Sequence, residues 1–261
     1  MNEPPSVKVP VPEVTVTAYR TVFGELSLVL ELAWLPLLIL LAASLVPAAL
    51  PPGFGAGSAL VRGLPDLIDL FVGALCLNAF GARWYQIQLF GAADRPWLGP
   101  WSRFLLYTFV LYAALGAVIA VLMLVTLTLG GRGALVEIGV LAFDLAVSLG
   151  LMLAIARLSL LYPAAAAGRP IGLRGAWRAT RGNGWRIVLC WLFATAPLLL
   201  AVQMLMAGVL AGFDIGDARP APLGLVILRA VVGIVTDFLI AALGAVALSA
   251  IYRRLVRPIE T

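Results

Sequence analysis

Apolar positions in this chain follow neither a two-residue alternation nor a single helical stripe. They form unbroken runs long enough to cross a bilayer. A helical span takes about 20 mostly apolar residues. Six runs reach that length between charges and Gly/Pro clusters: 26–50, 64–84, 104–129, 135–162, 187–211 and 223–252. The third and fifth hold no charge, while the second carries Asp66 and Asp69 in its first turns. The pattern predicts an all-α polytopic membrane helix bundle, with six transmembrane helices in a single membrane domain over 25–257. Residues 1–12 contain four prolines and read as a disordered tail. Residues 13–24, with Val16, Tyr19, Val22 and Phe23 roughly on one side, read as a short amphipathic helix in the interface. Pro36 and Pro197 fall well inside spans and are expected to shape helices rather than to act chemically.

The basic residues orient this threading. Lys8, Arg20, Arg83, Arg95, Arg103, Arg157, Arg169, Arg174, Arg178, Arg181, Arg186, Arg253, Arg254 and Arg257 collect on one side. Arg62, Arg132, Arg219 and Arg229 collect on the other, a split of 14 to 4. Short cytoplasmic loops carry the excess of Lys and Arg. Both termini are therefore expected in the cytoplasm, with the protein in a bacterial cytoplasmic (inner) membrane. Trp84, Tyr85, Trp97, Trp101, Tyr162, Trp185 and Tyr252 lie near the same helix ends, as an interfacial aromatic belt requires. The first apolar run is too long and begins too far into the chain for a cleaved leader.

Composition supports the membrane reading and narrows the chemistry. Of 261 residues, 62% are hydrophobic and 12% charged, against about 25% charged in soluble domains; the mean hydropathy is +1.05. A net charge of +5 follows from topology and does not make a nucleic-acid partner. With no histidine, the chain lacks the usual general base and the commonest metal ligand. Cys76 and Cys190 lie inside apolar runs and read as reduced packing residues. No Walker motif or Cys/His cluster is present, so neither cofactor nor metal is expected.

Charges inside hydrocarbon cost at least ~2.5–3.5 kcal/mol on insertion scales, so they are hidden, paired or near an interface. Glu31, Asp69, Asp144, Arg229 and Asp237 are the intramembrane polar candidates. They read either as carriers on a proton- or cation-linked path or as pins between helices, with Arg229 reaching a neighbouring aspartate. Asp144 and Asp237 in particular are expected inside the bundle, linked to another polar group. Asn78, Thr126, Ser148, Thr195, Gln203, Thr236 and Ser249 are scattered singly, as interhelical glue would be. The aspartates also suggest three repeated hairpins: Asp69 precedes Arg83 by 14 residues, Asp144 precedes Arg157 by 13 and Asp237 precedes Arg253 by 16. The first two continue alike, from Ala82–Arg83 to Arg95–Pro96 and from Ala156–Arg157 to Arg169–Pro170.

The longest basic loop, between Tyr162 and Ile187, holds a predicted short helix over Leu173 to Arg181, stopped by Gly182-Asn183-Gly184. Arg174, Arg178 and Arg181 form one stripe, with Leu173, Ala176, Trp177 and Thr180 adjoining. Arg174, Trp177, Arg178 and Arg181 are thus candidates for contact with anionic lipid headgroups, the alternative being an ordinary positive-inside anchor.

The run Leu160-Leu161-Tyr162-Pro163-Ala164-Ala165-Ala166, followed by Leu173-Arg174-Gly175-Ala176-Trp177-Arg178-Ala179-Thr180-Arg181-Gly182-Asn183-Gly184-Trp185-Arg186, resembles a pattern in bacterial polytopic inner-membrane proteins. These are related to the membrane domain fused to some glycerophosphodiester phosphodiesterases. Ala33-Trp34-Leu35-Pro36-Leu37-Leu38 and the stretch from Ala82 to Gly91 are similar to further segments of them. The resemblance implies a six-helix inner-membrane protein and supplies no catalytic residues. No soluble segment here approaches the size of the phosphodiesterase domain. The leading expectation is a non-enzymatic protein that handles lipid or a small solute, or scaffolds envelope partners. A proton- or ion-coupled transporter and a membrane-embedded lipid enzyme stay open as alternatives.

Overall fold

A computed structural model describes residues 8–46, 59–91, 98–129, 134–212 and 223–256. The helices are α1 (Val11–Gly24), α2 (Leu26–Ser44), α3 (Ala59–Phe90), α4 (Leu98–Leu129), α5 (Ala134–Leu158), α6 (Leu161–Ala166), α7 (Gly172–Ala179), α8 (Gly184–Gly212) and α9 (Leu223–Leu255). Six of them are long and apolar enough to span a membrane, and no strand occurs among the described residues. The chain is a multi-pass, all-α membrane protein. Residues 1–7, the end of the first predicted span at 47–50, Arg95–Pro96 of the repeat, and the arginines at 132, 219 and 257 lie outside the described residues.

Helix ends overrun the apolar runs on the arginine-rich side. α3 continues to Phe90 and α4 starts at Leu98, because polar residues such as Gln86 lower hydropathy without interrupting backbone hydrogen bonding. The fourth run, by contrast, is divided. Pro163 has no N–H to give to the carbonyl of Ser159; Tyr162 N–H takes that carbonyl instead at 3.2 Å, and the backbone turns between α5 and α6. α6 then ends in a Schellman motif. Arg169 N–H bonds Ala164 O, Gly168 N–H bonds Ala165 O, both at 3.0 Å, and Gly168 supplies the left-handed φ of 72° that the motif needs. Pro36, Pro65 and Pro197 lie inside α2, α3 and α8, each of which continues as one helix past its proline.

α9 is the hub, packing against α1, α2, α3, α6 and α8. Its small residues Ala242, Ala245 and Ala247 are buried and let neighbours approach closely. On one side Phe80 of α3 meets Phe238 edge to face at 5.1 Å, and Trp84 Nε1 donates to Ala242 O at 3.2 Å. The hairpin of α4 and α5 is peripheral. Apart from Phe104 and Thr108, its α4 side chains are largely exposed, Phe109 and Leu127 at 74% and 81%.

Two corrections concern the amino-terminal segment. The predicted disorder through Pro12 does not hold for residues 8–12: Val9 is fully buried, its N–H bonds Asn183 Oδ1 at 3.0 Å and its carbonyl accepts from Arg186 at 2.9 Å. The following helix begins at Val11 and is docked through Val14, Ala18 and Val22, an i, i+4, i+8 stripe against α8 and α9. Of the four residues grouped from sequence, Val16 and Phe23 face outward. Glu13 pairs with Arg254 at the end of α9.

Candidate functional site

The predicted polar residues separate into distinct places. Asp69 on α3 accepts a hydrogen bond from Ser44 of α2 at 2.7 Å. Asp144 on α5 accepts one from Thr126 of α4 at 3.2 Å through Oδ2, while its buried Oδ1 has no partner. The first two hairpins thus share one device, a hydroxyl on the ascending helix given to a carboxylate on the descending one. The third does not repeat it. Asp237 is exposed, which corrects the expectation that it is packed inside. Ile234, Thr236 and Phe238 are buried, and the seam they form turns position 237 outward. Asp237 stands within electrostatic reach of Asp69. Its placement is affordable because it lies about 24 Å along α9 from Arg253, toward the far boundary of a core about 30 Å thick. Arg229, two turns further, is exposed and forms no ion pair among the described residues, which corrects its expected reach to an aspartate. Glu31 is exposed in the second turn of α2.

Repetition also fails beyond the arginines. α3 runs straight from Arg83 to Phe90, whereas α5 stops one residue after Arg157.

None of these charged groups lines the cavity beside the α4–α5 hairpin. That cavity, about 650 Å³, lies between the α4–α5 hairpin and helices α3, α8 and α9. Along α4 its wall is the stripe Phe104, Thr108, Tyr112, Leu115, Ile119 and Leu122, spaced by three and four residues. At 1.5 Å per residue the stripe is about 27 Å long, close to the full hydrocarbon thickness. The space is therefore a slot running along the bundle. Most of its wall is apolar, but hydroxyls and an amide gather toward the arginine-rich end, at Asn78, Tyr85, Thr108, Ser159 and Tyr162, with Tyr112, Ser148 and Trp191 also in the lining.

Asn78, Thr108 and Tyr162 are tied together across three elements. Thr108 Oγ1 donates to Asn78 Oδ1 at 2.7 Å and lies 3.0 Å from Tyr162 Oη. Asn78 Nδ2 donates to Ala74 O at 2.6 Å. Phe104 packs edge to face on Tyr85 and Tyr162, with centroids 5.5 and 5.2 Å away. The sequence singled out Asn78 only as glue and did not mark Thr108. Their spacing of 30 residues carries no local signal, and only the pairing of α3 with α4 brings them together.

The lipid-headgroup candidates share the arginine-rich end. In α7 and the turn that follows it, Ala176 and Thr180 are buried, while Leu173, Arg174, Trp177, Arg178 and Arg181 are exposed. The adjoining apolar side is therefore split, its small residues turned inward and its large ones outward. Trp177 also has a partner within the chain: the Arg157 guanidinium lies 4.6 Å from its ring centroid, a cation–π contact that ties α7 to α5. Gly184 makes room for this junction, since a Cβ there would come within 2.7 Å of Leu153 Cδ1 and 2.9 Å of Arg157 Nε. Arg181 is engaged in a contact of its own. Among the described residues no group of three or more His, Cys, Asp or Glu could hold a metal ion.

Compared with protein-family models, curated proteins and solved structures, the chain has no match.

Proposed function

We propose that this chain is a non-enzymatic protein of a bacterial inner membrane that takes a membrane-soluble amphiphile into the slot between its α4–α5 hairpin and the α3–α8–α9 core. The observation that carries the proposal is the slot itself: an apolar wall about as long as a bilayer core is thick, with most of its hydrogen-bonding groups gathered toward one end. That division matches a molecule with a long tail and a small polar head. Its volume falls within the range of about 300–1,000 Å³ usual for ligand sites.

The acids support this reading over an ion pathway, because Asp69 and Asp144 are engaged by separate hairpins and neither faces the slot. The 14-to-4 split of basic residues supports cytoplasmic termini and thus a slot whose polar end faces the cytoplasmic leaflet. There the exposed Leu173, Arg174, Trp177 and Arg178 are suited to anionic headgroups. The resemblance to membrane domains of glycerophosphodiester phosphodiesterases belongs to the same proposal.

The test is photocrosslinking of the reconstituted chain with a long-chain amphiphile bearing a diazirine in its tail, followed by peptide mapping. Labelling of Tyr112, Ile119 and Met152 is expected. Labelling confined to outward residues such as Phe109, Leu127 and Leu141 would overturn the proposal.

A further inference from the structure

We infer that the slot selects an amphiphile whose head is uncharged and carries both a hydrogen-bond acceptor and a donor, such as a hydroxyl ester, and that Tyr85, Asn78 and Tyr162 read that head. The inference rests on the proposed use of the slot and specifies what enters it.

Thr108 has one hydroxyl proton, and that proton goes to Asn78 Oδ1. In the contact between Thr108 and Tyr162, Tyr162 must therefore be the donor, which leaves the Tyr162 oxygen as an acceptor only. Asn78 spends one amide proton on Ala74 O and keeps a second. Tyr85 lines the slot, is 6% exposed, and its hydroxyl meets no hydrogen-bonding partner among the described residues. That hydroxyl is also absent from the polar atoms sealed off from all contact, so the surface it retains opens on the slot. The end of the slot thus offers two donors, Tyr85 O–H and the remaining Asn78 N–H, and two acceptors, the oxygens of Tyr162 and of Ser159, whose own proton goes to Ala156 O.

Polar groups left unmatched in an apolar setting are costly, so this set calls for a complementary head. It also excludes a charged one at this depth. No ionised side chain lines the slot, and an ionised phosphate without a cation would lose its hydration uncompensated. The arginines that could meet a phosphate, Arg157 and Arg186, are turned to Trp177 and to Val9 O respectively.

Native mass spectrometry of the full chain in nanodiscs tests this, titrating a monoacylglycerol against a phosphatidylglycerol of matched chain length. The monoacylglycerol should bind at least about tenfold more tightly. Tyr85→Phe keeps the ring that packs on Phe104 and should weaken the monoacylglycerol about two- to tenfold, as loss of one hydrogen bond does, with phosphatidylglycerol unchanged. Should that variant fail to assemble, Tyr162→Phe removes one acceptor and should show the same selectivity. Equal or tighter binding of phosphatidylglycerol, or no effect of either phenol, would overturn the inference. Met152→Trp, which fills the slot from α5, separates this outcome from failure of the slot itself. If it abolishes binding of whichever lipid binds, the slot stands whatever the head preference; if it changes nothing, the slot proposal falls.

Discussion

Thr108 and Asn78 join α4 to α3 through a 2.7 Å hydrogen bond, at the point where the otherwise exposed α4 touches the core. Both side chains are nearly buried, at 7% and 8% exposure, so the bond fixes one edge of the slot. Interhelical hydrogen bonds in membranes average about 0.6 kcal/mol and reach about 1.7. Because Asn78 Oδ1 would be left without its donor, Thr108→Val should cost a value toward the upper figure. Adding Asn78→Leu should cost less than the sum of the two single changes. Reversible unfolding in mixed micelles measures both, and strict additivity would contradict the bond.

Arg157 over Trp177 should hold α7 to the bundle by about 0.5–2 kcal/mol. Trp177→Leu removes the π face while keeping an apolar side chain, whereas Trp177→Phe keeps part of the attraction. Tryptic cleavage at Arg178 should therefore accelerate in the order wild type, Phe, Leu. Equal rates would show that the contact does not restrain the helix.

Gly184→Val should disturb the same junction from the other side. Its Cβ would displace Leu153 and the Arg157 guanidinium, at a cost of about 1–3 kcal/mol for overpacking. That exceeds the gain of a few tenths expected from replacing glycine in a helix. A lowered unfolding temperature with faster cleavage at Arg178 is expected, and an unchanged variant would rule out the close approach.

The exposed arginines of α7 should make membrane contact depend on anionic lipid. Since Arg181 is engaged within the chain, the informative variant is Arg174→Gln with Arg178→Gln. At about 1 kcal/mol per basic residue, the pair contributes about 2 kcal/mol. A fluorophore at Leu173 should lose its preference for anionic over neutral vesicles in that variant, and in the parent at high salt. A preference indifferent to both changes would assign these arginines to orientation alone.

Much of this arrangement is legible along the chain and part of it is not. The spans are, because about 20 apolar residues in a row have one physical outcome in lipid. So is the short helix before the Gly182-Asn183-Gly184 turn, although it ends at Ala179, two residues before the expected Arg181, and Gly182 takes its φ of 77° in the turn that follows. What escapes is whatever depends on helix rotation. Asp237 is expected inside because charge in hydrocarbon is costly, yet the contact of Phe238 with Phe80 turns it outward. Val9 sits in a proline-rich stretch that reads as disordered; its partner Asn183 is 174 residues away. The slot is hidden for the same reason, since Tyr85 reads as a belt aromatic until its neighbours are known.

The most direct measurement is an experimental density map of the chain in nanodiscs formed from its native membrane lipids. One elongated density is expected between α4–α5 and the α3–α8–α9 core, its narrow head against Tyr85 and Asn78 and its tail along Tyr112 to Leu122. A bundle in which α4 and α5 close onto α8 and α9 with no space between them, or in which lipid lies only on outer faces, would contradict the proposed use of the slot.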